Sequence, residues 1–420
     1  MKKSEVDIVN LGCRLNIYEG EVIKSLVRKN KLSNYTIINS CSVTQEAEKK
    51  VKYEIRKSKK NFPDKKIIVT GCAAQINPQK YASIDEVNFV IGNKEKLQEQ
   101  TWLSLSSSDS VQVKDIFANN VSHNNIVEKF EGKSRAYIEV QQGCDHRCTF
   151  CIIPFGRGNN RSVPLGVIVE RIKKLVNNGY NEVVLTGVDI TDYGNDLPGK
   201  PNLSQLVKRI LNLIPDLKQL RLSSIDCAEI TNDFWPLLQE KRLMPHFHLS
   251  LQSGNDLILK RMKRRHTRQQ AIDFCQKVRF IKNDVVFGAD IIAGFPTETE
   301  DMFKDSLSLI QECGLTHLHI FPYSIREGTP AAHMPQVPKN IIKQRAKLLR
   351  EEGSKQMNKY LRTQLGKSTF VLIEQSKENI SLGKSQYFTK IIIKEMVKEG
   401  TIVQCMITDM NEDTLNAHII

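Results

Sequence analysis

The sequence GCDHRCTFCIIPFG, residues 143 to 156, contains three cysteines at C-x3-C-x2-C spacing, namely Cys144, Cys148 and Cys151. A loop of this length can place three thiolates around one inorganic cluster, and thiolates are the usual ligands of iron–sulfur clusters. A cubane of four irons takes four ligands, so this motif leaves one iron without a cysteine. An open coordination position is typical of catalytic metal sites, whereas structural sites are closed. The motif therefore indicates chemistry.

A structural zinc site or a chance group of thiols is the alternative for the same three cysteines. Zinc sites more often use paired C-x2-C units, which favours the iron–sulfur interpretation. The spacing, with Phe150 directly before the last cysteine, resembles the signature of the radical S-adenosylmethionine (SAM) enzymes. The resemblance implies that SAM chelates the open iron, that the reduced cluster cleaves SAM, and that a 5′-deoxyadenosyl radical takes a hydrogen atom from the substrate.

Composition narrows the class of protein. The chain has 420 residues, and this length suggests two or three domains. Hydrophobic residues make up 40% of the chain, enough for packed cores, and no run approaches the roughly 18 apolar residues of a membrane helix. The first residues, MKKSEVDIVNLGC, are polar or acidic where a signal peptide has its apolar segment. We therefore expect a cytoplasmic protein without a membrane partner.

Charge and cysteine content point to partners and chemistry. The formal net charge of +14 suggests a polyanionic partner, because neutralising phosphates releases their counterions and drives binding. A lysine-rich composition that serves only solubility is the alternative. Ten cysteines in a reducing compartment argue against a disulfide framework and for metal or redox chemistry.

Three short apolar runs in residues 1–100 each end in a cysteine, at Cys13, Cys41 and Cys72. Runs of this length, rich in Val and Ile and separated by helical stretches at 16–30 and 44–60, predict parallel strands of an open α/β sheet. The spacing of Ser42 and Gln45 matches a capping box and predicts a helix start just after Cys41.

The three cysteines of this first domain are predicted to converge. Ligand sites in open α/β sheets form beyond the carboxyl ends of the strands, so these residues would meet at one edge although they are far apart in the chain. A single cysteine at a strand end is ordinarily a small hydrophobic residue, but three in the same topological position indicate ligands. We therefore expect a second iron–sulfur cluster.

The motifs LGCRLNIYEGE around Cys13, NSCSVTQEAEKK around Cys41 and VTGCAAQ around Cys72 resemble the methylthiotransferases, which pair such a domain with a radical SAM domain. Tyr18, Glu19, Val43 and Thr44 are most similar to the MtaB branch, which acts on N6-threonylcarbamoyladenosine in tRNA. The MiaB branch, acting on isopentenyladenosine, and the RimO branch, acting on a ribosomal protein, are the alternatives within the same chemistry.

Residues 101–133 are rich in Ser and Asn and are predicted to be a linker, and residues 134–362 alternate six apolar strands with helical segments. This pattern predicts a parallel barrel or part of one, with the active site at the carboxyl ends of the strands. The radical SAM fold that the family resemblance implies is a partial (β/α)6 barrel. Candidate contacts with SAM are Phe150, Thr186, Gly187, Ser250, Gln252 and Asp290.

A basic cluster lies within residues 260–268, KRMKRRHTR, and contains no acid. Such a cluster suits an RNA backbone, and arginine also stacks on splayed-out bases; a solvated helix face is the alternative. The candidates for RNA contact here are Arg264, Arg265 and Arg268. Arg157 and Arg161, just past the cluster loop, are further candidates.

Two histidine pairs alternate along predicted strands, His246 with His248 and His317 with His319. Metal binding is one interpretation of such pairs, but histidines satisfied within the core or at its edge are favoured.

Residues 363–420 contain four short alternating runs with turn residues between them, which predicts a small β-barrel. Its position after the central domain resembles the TRAM domain, an OB-like RNA-binding module, and the candidates for contact with the tRNA backbone are Lys367, Lys384 and Lys390.

The family resemblance implies a complete reaction. It converts N6-threonylcarbamoyladenosine, at position 37 beside the anticodon, to its 2-methylthio derivative, with two SAM molecules, two [4Fe-4S] clusters and a sulfur donor. An electron donor such as flavodoxin or ferredoxin would reduce the cluster. The alternatives from other classes are a non-catalytic RNA-binding protein with structural zinc and an electron-transfer iron–sulfur protein.

Overall fold

The computed structural model describes residues 6–105, 109–118 and 127–420. The first domain contains a five-stranded parallel sheet in the order β1-β2-β3-β4-β5 with helices between the strands. Its elements are β1 (Asp7–Asn10), α1 (Arg14–Lys29), β2 (Tyr35–Ser40), α2 (Gln45–Asn61), β3 (Lys66–Gly71), α3 (Cys72–Ile76), α4 (Pro78–Ala82), β4 (Val87–Ile91), α5 (Glu99–Leu103) and β5 (Val111–Gln112).

Two details of this domain differ from the sequence-based expectations. Strand β5 lies in the segment predicted to be a linker, and Trp102 in the same segment is fully buried, so this segment contributes to the first domain's sheet and core. Helix α2 is capped by Thr44, whose side chain accepts a hydrogen bond from the Ala47 amide. The predicted Ser42 cap was wrong, because the chain continues two residues further in an extended conformation before the helix begins.

The central domain contains six parallel strands in two groups of three, in the orders β6-β9-β10 and β11-β12-β13. A parallel bridge between Ile225 and Leu249 joins the two groups. The elements are β6 (Arg135–Glu139), β7 (Gln141–Gln142), α6 (Ile153–Arg157), β8 (Arg161–Ser162), α7 (Leu165–Asn177), β9 (Glu182–Thr186), α8 (Leu203–Leu213), β10 (Gln219–Leu222), β11 (His246–Gln252), α9 (Asp256–Arg261), α10 (Arg268–Ile281), β12 (Val286–Ala293), α11 (Glu300–Glu312), β13 (Leu315–Pro322) and α12 (Lys339–Arg362).

The six strands form the predicted partial barrel. Continuous runs such as VVL in β9 and FGADIIA in β12 are buried because helices cover parallel strands on their outer face. Helix α1 of the first domain packs on β6, and one hydrophobic core runs from Tyr18 and Val22 in α1 through Ile138 to Leu349 in α12. The first two domains therefore share a core.

The carboxyl-terminal domain is a closed five-stranded barrel in the order β14-β15-β16-β18-β17. Its strands are β14 (Ser368–Lys377), β15 (Ile380–Ser385), β16 (Lys390–Ile393), β17 (Ile402–Asn411) and β18 (Thr414–Ile419). The small β-barrel predicted from the sequence is confirmed, but β15 was missed, because its sequence ISLGKS has too few apolar residues to stand out. Among the described residues, no helix has the length and apolarity needed to cross a membrane.

Candidate functional site

The cysteine loop of the central domain lies between β7 and α6. The Cys144 amide donates to the Gly158 carbonyl (3.1 Å), and the Cys151 amide donates to the Cys148 carbonyl (3.0 Å), so the backbone folds the three thiols into one turn. Gly143 has φ +70°, and a Cβ on it would lie 1.8 Å from the Asn159 carbonyl oxygen. Only glycine fits at this position, which explains the residue before the first cysteine.

The three thiols of this loop fit an iron–sulfur cluster. Burial raises the pKa of Cys151 to about 12 and raises that of Cys144 further, so the environment itself does not ionise them. Coordination by a metal deprotonates a thiol outright. Arg264 Nη1 lies 3.9 Å from Cys148 Sγ and supplies a positive charge next to the thiolates that a cluster requires.

The cysteines of the first domain converge as the topology predicts. Cys13 directly precedes α1, Cys41 directly follows β2, and Cys72 is the first residue of α3 after β3. A Cβ on Gly12 would lie 2.9 Å from Cys41 Sγ, so the β1–α1 turn lies against the thiol of Cys41. Burial raises the pKa of Cys41 to about 11, and the neighbouring Cys72 and Cys13 add to this shift. The three thiols therefore share one site at the carboxyl edge of the sheet.

Buried positive charge lies beside these three cysteines. Arg157 is 2% exposed and donates to both carboxylate oxygens of Glu19 (2.7 and 3.1 Å) and to Asn16 (2.6 Å). Lys96 is fully buried and donates to Glu19 (2.7 Å) and to Asn93 (2.6 Å). Two cations thus face one carboxylate. The negative charges of the Cys72 and Cys13 thiolates are among the causes that raise the pKa of Arg157. The excess positive charge fits an anionic thiolate-bound cluster.

Arg157 also ties the two domains together. It belongs to α6, directly after the cysteine loop, whereas Glu19 and Asn16 belong to α1. In the same interface, a Cβ on Gly156 would lie 3.1 Å from the Cys72 Cβ, and Asn93 donates to the Gly156 carbonyl (2.6 Å). The interpretation of Arg157 as an RNA contact was wrong, because its guanidinium is enclosed at this domain interface.

A cavity of about 190 Å³ is lined by residues from both cysteine-bearing regions of the chain. Its wall includes Val43 and Thr44, which follow Cys41, and it includes Cys151 itself. The cysteine loop also contributes Phe150, and the remaining wall comes from β11, β12, β13 and the residues directly after β13, with Phe321 and Tyr323 as aromatic surfaces. A molecule in this cavity would touch both cysteine-bearing regions.

Contacts between α2 and the segment after β13 lie next to this cavity, because Ser324 is part of its wall. The Gln45 amide donates to Ser324 Oγ (3.1 Å), and Arg326 forms an ion pair with Glu48 (2.5 Å). Lys80 contacts the same carboxylate at 2.6 Å. Neither Arg326 nor Glu48 was identified from the sequence, because 278 residues separate the partners.

The predicted SAM contacts fall into two groups. Phe150, Gln252 and Asp290 line the cavity together with Cys151. Thr186, Gly187 and Ser250 are not among the residues of its wall: Gly187 lies against Gln141, where a Cβ would approach to 2.8 Å, and the Ser250 carbonyl accepts from Arg264 (2.6 Å). The structure thus brings three of the six candidates together.

Asp290 lies between two histidines at the floor of the cavity. Its Oδ1 lies 2.8 Å from His248 Nε2 and 3.1 Å from His319 Nδ1. Burial alone would raise the pKa of Asp290, but the two hydrogen bonds outweigh it and lower the pKa well below its usual range. The residues predicted as satisfied histidines therefore hold an ionised carboxylate, and their side chains could together hold a cation.

The predicted RNA contacts near residue 265 are already paired with acids. Arg264 binds Asp226 (2.7 Å), Arg265 binds Glu229 and Asp226, and Arg268 binds Glu312. Lys367 of the carboxyl-terminal barrel is exposed. The RNA roles of these four residues stay predictions.

Solved structures show the fold class. The chain is similar to the radical SAM methyltransferase TsrM from Kitasatospora setae, solved with cobalamin and a [4Fe-4S] cluster bound, with a TM-score of 0.56 and 13% identity over 79% of this chain and 77% of that one. Residues 138–310 match the Radical SAM superfamily, and residues 5–92 match the uncharacterized protein family UPF0004. The central domain is a radical SAM domain, which binds SAM and a [4Fe-4S] cluster.

Curated relatives narrow the family. The chain is 50% identical to the threonylcarbamoyladenosine tRNA methylthiotransferase MtaB of Rickettsia prowazekii over 99% of this chain and 97% of the relative. It is 29% identical to the tRNA-2-methylthio-N(6)-dimethylallyladenosine synthase of Ehrlichia chaffeensis, over 92% of each chain. The chain belongs to the MtaB family of radical SAM methylthiotransferases.

Proposed function

We propose that the protein converts N6-threonylcarbamoyladenosine at position 37 of tRNA to 2-methylthio-N6-threonylcarbamoyladenosine. The observation that carries the proposal is the cavity whose wall includes both Cys151 and the residues that follow Cys41. Sulfur insertion at a carbon needs hydrogen removal and sulfur delivery at the same atom. A cavity lined by Cys151 and by the residues that follow Cys41 can hold one carbon near both cysteine sites.

Each cysteine set has its own role in this proposal. Cys144, Cys148 and Cys151 would hold the [4Fe-4S] cluster of the radical SAM domain, and Cys13, Cys41 and Cys72 would hold a second one. When bound, the first cluster and SAM supply the radical that removes hydrogen, and the second cluster carries the sulfur. An adenine C2–H is not acidic enough for a base, which is why radical chemistry is needed.

The chain's own residues position the reactants. Arg157 and Lys96 hold positive charge beside the first-domain cysteines and lower the energy of an anionic cluster there. Arg264 has the same role beside Cys148. Phe150, Phe321 and Tyr323 offer aromatic surfaces for an adenine ring, and the ion pair of Arg326 with Glu48 holds α2 against the segment after β13.

The partners follow from the reaction. The substrate is tRNA, which suits the formal net charge of +14. Two SAM molecules supply the radical and the methyl group, an electron donor such as flavodoxin or ferredoxin reduces the cluster, and a separate donor supplies sulfur. With these partners, the proposed reaction takes place in the cytoplasm.

The test is mass spectrometry of nucleosides from total tRNA of cells that lack the protein. We expect 2-methylthio-N6-threonylcarbamoyladenosine to disappear and its unthiolated precursor to rise. Complementation with the wild-type chain should restore the nucleoside, and complementation with Cys41→Ala should not. Loss of the dimethylallyl counterpart instead would contradict the proposed substrate but keep the chemistry, and no change in either nucleoside would contradict both.

A further inference from the structure

A second cavity, of about 580 Å³, lies beside the amino-terminal ends of β11 and β13, where the partial barrel meets α12 and the carboxyl-terminal barrel. We call it the junction cavity. Three domains contribute to its wall: Arg14 from the first domain, His246 and His317 from the central domain, and Lys384 and Phe388 from the third. A site whose wall comes from all three domains is a candidate for ligand binding, because no single element of secondary structure brings these residues together.

The wall of the junction cavity is strongly basic. It contains Arg14, Arg350, Lys384 and Lys390, whereas Asp413 is the one acid among its described wall residues and pairs with Lys390. No carboxylate of the described chain forms an ion pair with Arg14 or Lys384. Glu182 and Glu374 act on Arg14 and Lys384 only from beyond ion-pair distance, so the described wall of the cavity carries a net positive charge, which favours binding of an anion.

Four cationic side chains lie around the ring of Phe388. Its ring lies 3.8 Å from Lys384 Nζ and 5.5 Å from the Arg14 guanidinium carbon, with Arg135 at 5.3 Å and Arg221 at 4.9 Å. Arg135 and Arg221 both form ion pairs with the buried Glu182. The ring itself interacts with Lys384 and Arg14 only through its quadrupole, as a cation–π contact. Phe388 has φ +67°, a strained conformation for an aromatic residue of the kind found at functional sites.

His246 supplies a second, independent observation. It is 3% exposed, and neither ring nitrogen has a hydrogen-bond partner in the described parts of the chain. Its ring stacks on Phe388 (5.3 Å between centroids) and meets His317 edge-on (4.9 Å), so aromatic packing explains its position but leaves its N–H unsatisfied. Buried polar groups are normally hydrogen-bonded, so an unpaired one in a cavity wall points to a ligand.

We propose that the junction cavity binds an oxyanion of the RNA substrate, with Arg14, Lys384 and His246 as donors. The proposal rests on the proposed function. Two oxyanions of that substrate have the required chemistry: the carboxylate of the threonylcarbamoyl group and a backbone phosphate. Asp290 lies between the two cavities, because it lines the first and forms hydrogen bonds with His248 and His319 in the wall of the second. The carboxylate source would explain how this chain distinguishes its substrate from an isopentenyl adenosine, which has no charge there.

The test measures the affinity of the cluster-loaded enzyme for three versions of one tRNA, with position 37 carrying the threonylcarbamoyl group, the isopentenyl group or unmodified adenine. The variants are Arg14→Gln and Lys384→Gln, with Lys384→Arg as the charge-retaining rescue. Lys173→Gln is the matched control, because it removes one exposed cation of α7 outside the cavity wall. Iron content and thermal denaturation check that each variant is folded. Arg14 directly follows Cys13, whereas Lys384 lies in the carboxyl-terminal barrel, so the Lys384 variants test the cavity without a change beside a cysteine.

Loss of a charge-assisted hydrogen bond predicts a weakening of about tenfold for Arg14→Gln and Lys384→Gln. Weakening limited to the threonylcarbamoyl tRNA identifies the carboxylate as the ligand, and equal weakening for all three tRNAs identifies a phosphate. Affinities that match the Lys173→Gln control in all three cases overturn the proposal. Since the readout is binding, a failure of the proposed reaction would leave this result interpretable.

Discussion

Replacing Arg157 by glutamine tests the electrostatic basis of the first-domain site. The substitution keeps a polar side chain but removes the charge that faces Glu19 at the domain interface. Burial alone would raise the pKa of Glu19, but the charges of Arg157 and Lys96 lower it to about 2, so the carboxylate is ionised and depends on both cations. Arg157→Gln leaves that buried anion with Lys96 alone.

The expected cost is large because neither partner is screened by solvent. The Arg157 side chain is 2% exposed and that of Glu19 is fully buried. Removing one partner of a buried ion pair costs about 3–5 kcal/mol, because it leaves an uncompensated charge in a medium of low dielectric. At 1.4 kcal/mol per tenfold, the equilibrium between folded and unfolded first domain shifts by about a hundredfold or more.

The assay is urea denaturation followed by tryptophan fluorescence in a Trp235→Phe background, which leaves Trp102 as the one tryptophan of the chain. Trp102 is fully buried and donates to the Lys96 carbonyl (2.9 Å). The matched control is Arg147→Gln, an exposed arginine of the cysteine loop, with an expected loss under about 1 kcal/mol. The double variant Arg157→Gln with Glu19→Gln should recover part of the loss, because it removes the uncompensated charge. A single-variant loss no larger than the control, or a strictly additive double variant, would refute the reasoning.

Four shorter predictions follow. Gly71→Ala should cost more than about 1 kcal/mol, because Gly71 has φ +94° and a Cβ would lie 2.4 Å from the Ser40 carbonyl oxygen; Gly166→Ala, with open space in α7, is the control and should be neutral or stabilising in the same denaturation assay. Burial lowers the pKa of Lys384 to about 8, and this shift is partly opposed by Glu374 and reinforced by Arg135. The charge of Lys384 is therefore lost above that value, so tRNA affinity, measured by fluorescence anisotropy, should fall between about pH 7 and 9. The affinity of Lys384→Arg should not change over this pH range. Anaerobically prepared wild type should carry about eight irons and Cys41→Ala about four; a colourless zinc protein would contradict both clusters. Glu19→Gln should destabilise the chain most near neutral pH and progressively less as pH falls from about 4.5 towards 2, because the lowered pKa makes Glu19 stabilising only while it is ionised.

The cysteine loop and the strand pattern were predictable from the sequence because both are local. Three thiols within eight residues, Cys144 to Cys151, can reach one cluster in any fold that leaves the loop intact. The positions of Cys13, Cys41 and Cys72 were predictable from one topological rule, since the carboxyl ends of parallel strands meet at a common edge. The radical SAM class and the MtaB family, predicted from these motifs, were confirmed by the family match over residues 138–310 and by the relative that is 50% identical over 99% of the chain.

The role of Glu19 shows where sequence reasoning stopped. Glu19 was one of four residues whose similarity favoured the MtaB branch, but the sequence does not say that it is the buried partner of Arg157, 138 residues away. The same holds for Arg264, predicted to contact RNA from a basic run and found beside Cys148 with Asp226 as partner. A charge run is visible in the sequence, but its counter-charges come from other elements.

The sequence by itself therefore determined the chemistry: three thiols in one loop, three more at strand ends, and an alternation of strands and helices that closes a partial barrel. Only the tertiary structure decided which charges meet. The first cavity, the Arg157–Glu19 pair and the junction cavity are each built from segments more than a hundred residues apart. Local patterns specify ligands and elements because their determinants are neighbours in the chain, whereas electrostatic pairing and cavities depend on how whole domains pack.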